Sequence, residues 1–126
     1  MIREPSPGGP ARLHLRIQFG DAAMLGPGKA DLLEQIRATG SIAAAGRAMS
    51  MSYKRAWSLV DEMNHAFREP LVDSTRGGAS GGGAHLTETG ETVLAAYREL
   101  EEIAAEAGAA RIGKLQSLLR DMSDGK

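Results

Sequence analysis

The stretch GSIAAAGRAMSMSYKRAWSLVDEMN, residues 40–64, decides how the rest of the chain is read. Ser41 can place its hydroxyl on the free backbone N–H groups of a helix starting at Ile42, and Gly40 supplies a permissive backbone just before it. Ile42, Ala45 and Met49 then fall on one face. The pattern breaks over Met49-Ser50-Met51-Ser52, Ser52 offers a second cap, and apolar spacing resumes at Ala56, Val60, Met63 and Phe67. Two helices joined by a tight turn make a helix-turn-helix. At about 100° per residue, Lys54, Ser58 and Asp61 point away from the apolar stripe, with Tyr53 and Trp57 on one flank and Arg55 and Glu62 on the other. Such a cationic, hydroxylic and aromatic front suits the major groove of DNA, where the first residues of a recognition helix meet base edges. Taken alone, the pattern is more often that of a solvated amphipathic helix, because helical hairpins with a serine turn are common.

Outward from this pair, residues 12–19 alternate strictly, with Leu13, Leu15, Ile17 and Phe19 opposed to Arg12, His14, Arg16 and Gln18, which predicts a half-buried strand. Residues 20–28 read as a loop with a short apolar interruption at Met24-Leu25. Leu32, Leu33 and Ile36 predict a first helix over 29–39, ended by Gly40 and packed beneath the pair. Beyond the second helix of the pair, Pro70 stops the pattern, and residues 71–75 and 84–86 predict two strands joined through Arg76 and the run GGASGGG. A helix pair followed by a glycine-tipped hairpin is the winged form of the motif. Residues 1–10, with three prolines and two glycines, read as a flexible arm.

Thr87 caps a long helical pattern whose first turn carries Glu88 and Glu91, where negative charge is favoured. Val93, Tyr97, Leu100, Ala104 and Ala107 follow heptad-like spacing; the phase slips at Gly108, and Ile112, Leu115, Leu119 and Met122 resume it, predicting a bend or break between 108 and 113. So long a stripe exceeds what a three-helix winged domain covers, which predicts a homodimer through these helices, with Val93, Tyr97, Leu100, Ala104, Leu115 and Leu119 in the seam. The competing picture folds the last helix back over Leu13, Leu15 and Ile17 of its own chain. The expected architecture is mainly α with a small β wing: an arm (1–10), a winged helix-turn-helix (11–87) and a long dimerisation helix (88–126).

Composition narrows the function classes. A chain of 126 residues, 42% hydrophobic, makes about one domain with a modest core. Without cysteine there are no disulfides, thiolate zinc sites or iron–sulfur clusters. The first residues lack the apolar core of a secretory signal, and no apolar run approaches the roughly 20 residues of a membrane span, so a cytoplasmic protein is expected. Net charge is only −1, but residues 28–58 hold five basic side chains against two acidic, a balance of +3, and residues 87–126 hold five against eight, a balance of −3. A basic half facing phosphates and an acidic half held away from them accords with DNA binding. His14, His65 and His85 fit no metal-ligand spacing, and the glycine run lacks the Gly-Lys-Ser/Thr of a nucleotide loop. Neither an enzyme nor a metal site is expected.

Together, SIAAAGRAMSMSYKRAWSLVDEMN (41–64) and PLVDSTRGGASGGGAHLTETG (70–90) resemble the amino-terminal DNA-binding domain of the molybdate-responsive regulators of the ModE family, itself similar to the winged domain of LysR-type regulators. Ser52-Tyr53-Lys54, Ala56-Trp57, Asn64 and the glycine wing running into Leu86-Thr87 carry the resemblance. It implies a homodimer binding a palindromic operator on double-stranded DNA through the second helix and the wing, with the long helix contributing to dimerisation. Tyr53, Lys54 and Ser58 are the expected base readers, and Arg47, Arg55, Arg76 and the wing backbone the expected phosphate contacts. Ser41, Ser52, Trp57, Gly81 and Gly82 complete the expected DNA-binding set, Trp57 being partly core. Family members also carry carboxy-terminal oxyanion-binding modules, for which this sequence shows no strand-rich segment. No molybdate or other cofactor is therefore expected to bind, which leaves either a small regulator complete in itself or one that receives its signal from another molecule. The alternative class is a winged-helix module that holds a protein rather than DNA.

Overall fold

The computed structural model of the chain describes residues 11–75 and 83–120. Its elements run β1 (Ile17–Phe19), β2 (Ala23–Leu25), α1 (Pro27–Thr39), α2 (Ile42–Ala48), α3 (Tyr53–Ala66), β3 (Val72–Thr75), β4 (Gly83–Leu86), α4 (Glu88–Ala107) and α5 (Ala109–Ser117). The expected arm and seam residue Met122 lie outside the described residues.

Local chemistry sets the helix boundaries. Pro27 begins α1, where its missing N–H costs no hydrogen bond. Gly40 ends it at φ 75°, a left-handed conformation that favours glycine, and donates its N–H to the Ile36 carbonyl. Ser41, Ser52 and Thr87 each accept a backbone N–H three residues on, from Ala44, Arg55 and Gly90, at 2.9–3.0 Å. Each cap contributes about 1 kcal/mol. Between α2 and α3 the Met51 N–H reaches back to the Gly46 carbonyl at 2.9 Å, with Ser50 in the left-handed region. This closes the helix-turn-helix.

Leu32, Leu33 and Ile36 of α1 are fully buried against Ala45 of α2, Ala56, Val60 and Met63 of α3, and Leu71 beside the wing. β3 and β4 pair antiparallel, Val72 opposite Leu86 and Thr75 opposite Gly83. Asn64 joins the end of α3 to this hairpin: its Oδ1 accepts the N–H groups of Leu71 (2.8 Å) and Val72 (3.1 Å), and its Nδ2 donates to the Val72 carbonyl (3.1 Å). The Ala84 N–H donates to the Gly40 carbonyl, fixing the wing against the α1–α2 corner.

Two local readings are corrected. Of the strand expected over 12–19 only 17–19 is paired, because its partner is the three-residue β2, placed where a loop was expected. Leu15 and Ile17 still pack on the core, but Leu13 and Phe19 are exposed, and Phe19 meets Phe67 edge-to-face at 6.3 Å. The second correction concerns α4. Its first half belongs to its own domain: Leu94 and Tyr97 are buried and Val93 packs against the core, so Tyr97 is withdrawn from the free seam. The Tyr97 hydroxyl donates to the Leu15 carbonyl at 2.6 Å. Its pKa is raised from 10.0 by burial and by the nearby Glu101 carboxylate. Arg98 reaches Asp31, Glu34 and Glu101; burial opposes its charge, but these hydrogen bonds prevail and raise its pKa. Past this clamp the helices leave the domain. Leu100, Ile103, Leu115, Leu118 and Leu119 stand exposed.

Candidate nucleic-acid interface

The front of α3 is built by its cap and its period. Ser52 fixes the start, Ala56, Leu59, Val60 and Met63 take the inner face, and Tyr53, Lys54, Arg55, Ser58 and Asp61 are left exposed. Tyr53 is 57% exposed and stands edge-to-face on the half-buried Trp57, ring centres 6.3 Å apart. This contact holds the phenol upright beside Lys54.

A cleft of about 140 Å³ runs along the Tyr53–Trp57 flank. The start of α2 (Ser41, Ala43), the start of α3 and the wing root (Thr75, Gly83) line it. Three separate segments expected in one site, Ser41, Tyr53 with Trp57, and the wing, thus share a surface. The Ser41 and Ser52 hydroxyls are used as helix caps. Ser74 and Thr75 line the cleft too, and the sequence does not mark them because only the docking of the hairpin on the α1–α2 corner brings them there. Arg76, Gly81 and Gly82 lie outside the described residues.

The structure sorts the charges more sharply than a running balance does. Of the five cations in 28–58, Lys29 is buried, with its ammonium on the Met24 carbonyl (2.9 Å) and Glu62 (3.0 Å), and Arg37 pairs with Glu91 (2.9 Å). Arg47, Lys54 and Arg55 remain, exposed and without a side-chain partner among the described residues. Arg16 is likewise exposed and unpaired, and it borders the opposite flank of α3 beside Arg55. Lys54 and Arg55 thus stay open on the front of α3, with Arg16 beside Arg55, whereas Arg37 and Arg98 are consumed in joining α1 to α4. Among the described residues no group of three or more His, Asp or Glu side chains could hold a metal ion, and no helix is long and apolar enough to cross a membrane.

Three core helices, a turn closed by Ser50 and Met51, a β hairpin against the helix pair and an exposed cationic α3 define a winged helix-turn-helix protein. By sequence the homologues of its winged domain are the molybdate-responsive regulators of the ModE type, matched over their amino-terminal part. It is 43% identical over 91 residues to the molybdenum transport protein ModE of Azotobacter vinelandii, an alignment covering 72% of this chain and 33% of that one. It is 33% identical over 97 residues to the DNA-binding transcriptional dual regulator ModE of Escherichia coli K12, covering 77% and 37%. The full-length LysR-type regulator LysG of Corynebacterium glutamicum, solved with its effector arginine, superposes with a TM-score of 0.53 at 28% identity, covering 72% of this chain and 29% of that one. No protein-family model matches. The chain spans about a third of the length of the curated relatives it matches.

Proposed function

We propose that the chain is a sequence-specific transcriptional regulator, not an enzyme, that binds a palindromic operator in the cytoplasm as a homodimer. The observation that carries this reading is the exposed front of α3, where Lys54 and Arg55 have no side-chain partner among the described residues, in a chain whose net charge is only −1. In this reading Lys54, Ser58 and Tyr53 meet base edges, while Arg47, Arg55, Arg76 and the backbone of Gly81 and Gly82 meet phosphates. The winged unit, 11–87, reads the DNA, and 88–126 supplies the dimer contact, with the first half of α4 shared between them. Leu100 and Ala104 on α4, Leu115 on α5 and Leu119 just beyond it form the seam; left in water it would forfeit about 25 cal/mol per Å² of apolar surface. A two-fold axis there sets the two α3 helices about 34 Å apart, one turn of DNA, or a multiple of it. Residues 11–120 are assigned no molybdate site, and the signal is taken from elsewhere. Equal operator affinity with and without molybdate is expected of this chain.

Retardation of the chain's own promoter DNA at graded salt tests the reading. Binding is expected to fall with a log–log slope near −0.9 per phosphate neutralised. Lys54→Ala should cost about 1–3 kcal/mol on the true site and relax preference at one base pair. No retardation at low salt removes the proposal and favours the protein-binding alternative.

A further inference from the structure

The exposed stripe of α3 has two flanks, and the wing serves only one. On the other side α3 borders a cleft of about 250 Å³ lined by Arg16, Gly26, Lys29 and Arg55. The strand alternation that sends Leu15 and Ile17 to the core sends Arg16 outward. Its stem crosses Gly26 closely: a Cβ there would stand 3.8 Å from Arg16 Cγ and 3.3 Å from Met24 Sδ. The floor of the cleft is neutral, because Lys29 is committed to Glu62 and the Met24 carbonyl. Its net positive charge therefore comes from the Arg16 and Arg55 guanidiniums, which have no partner among the described residues.

We infer that this cleft is a second phosphate-contact site, in which Arg16 and Arg55 hold one strand of the duplex while the wing side of α3 faces the other. The inference rests on the DNA-binding reading and extends it to the amino-terminal hairpin. A helix with its side chains is about 10–12 Å across and fills a major groove about 12 Å wide, so phosphate backbones run along both of its flanks. Relative to Lys54, Arg55 lies about 100° round the helix on one side and Tyr53 about 100° on the other. The β1–β2 hairpin, packed beside the start of α1, brings Arg16 to the Arg55 flank, as the β3–β4 hairpin brings Thr75 to the Tyr53 flank. Two short hairpins then bracket one recognition helix.

The experiment measures binding of the full chain to a duplex of its own promoter over a salt series, with phosphate-ethylation interference on each strand. Arg16→Ala is expected to flatten the log–log slope by about 0.9 and to weaken binding about fivefold near 0.15 M salt. Arg16→Lys should keep most of the slope, and Arg111→Ala, a cation on α5, should match the wild type. Arg16→Ala and Arg55→Ala should lose interference at neighbouring phosphates of the same strand. A wild type that binds while Arg16→Ala keeps the wild-type slope and interference pattern overturns this inference alone. Interference lost on opposite strands also overturns it, and a wild type that binds no duplex overturns it together with the DNA-binding reading.

Discussion

Replacing Gly90 by alanine tests whether α4 and the wing are fixed to one another. In an exposed helix that change is favourable by about 1 kcal/mol, because alanine loses less backbone entropy than glycine. At Gly90 the new methyl would stand 2.1 Å from the Leu71 carbonyl oxygen and 3.0 Å from its carbon. Ordinary carbon–oxygen contacts lie near 3.3 Å or beyond, so one side must retreat by about 1 Å. Leu71 cannot do so freely: its side chain is fully buried, its N–H is held by Asn64 and its carbonyl accepts the Thr87 N–H at 2.9 Å. Overpacking of about 1–3 kcal/mol, and about 1 kcal/mol more for a strained Thr87–Leu71 bond, outweighs the helical gain. The net loss is about 2 kcal/mol, or roughly 10 °C in thermal midpoint for a domain of this size. Melting followed by circular dichroism measures it, with Gly113→Ala as comparison. Nothing lies within 4 Å of a Cβ at Gly113, so that variant should melt at or slightly above the wild type. A Gly90→Ala protein melting as high as the wild type would refute this account of the α4–wing junction.

Asn64→Ala removes three hydrogen bonds at the root of the wing and leaves two backbone N–H groups without that acceptor, so urea unfolding should show a loss of about 2–4 kcal/mol. Tyr97 is stabilising as a neutral phenol: its folded pKa is raised above 10.0, so its contribution is full below about pH 10 and is lost as pH rises through the folded value. The stability gap between wild type and Tyr97→Phe should therefore narrow above about pH 10; a constant gap would count against that assignment. Sedimentation at micromolar concentration should give a dimer for the wild type and a monomer for Leu115→Glu, with most helix content kept, because α1–α4 pack within the protomer. A monomeric wild type would remove the proposed seam.

The winged fold was legible from residues 40–90 because its signals are local. Ser41, Ser52 and Thr87 cap helices through contacts three residues long, and Leu32, Leu33, Ile36, Ala56, Val60 and Met63 mark buried faces by period alone. The exposed Lys54, Ser58 and Asp61 stripe followed from the same period. Other features depend on which elements meet. A three-residue ladder is too short to mark β2, and heptad spacing cannot say whether Val93 and Tyr97 face a second copy or the same domain. Gly90 reads in the sequence as a weak helical residue, yet the Leu71 backbone leaves no room for anything larger. Charge shows the division most clearly: the sequence counts Lys29 and Arg37 with Arg47, Lys54 and Arg55, and only the tertiary structure spends the first two on Glu62 and Glu91. Caps and periodicity act over a few residues and are written in the chain, whereas ion pairing and close approach depend on distances through space that only the packed fold sets.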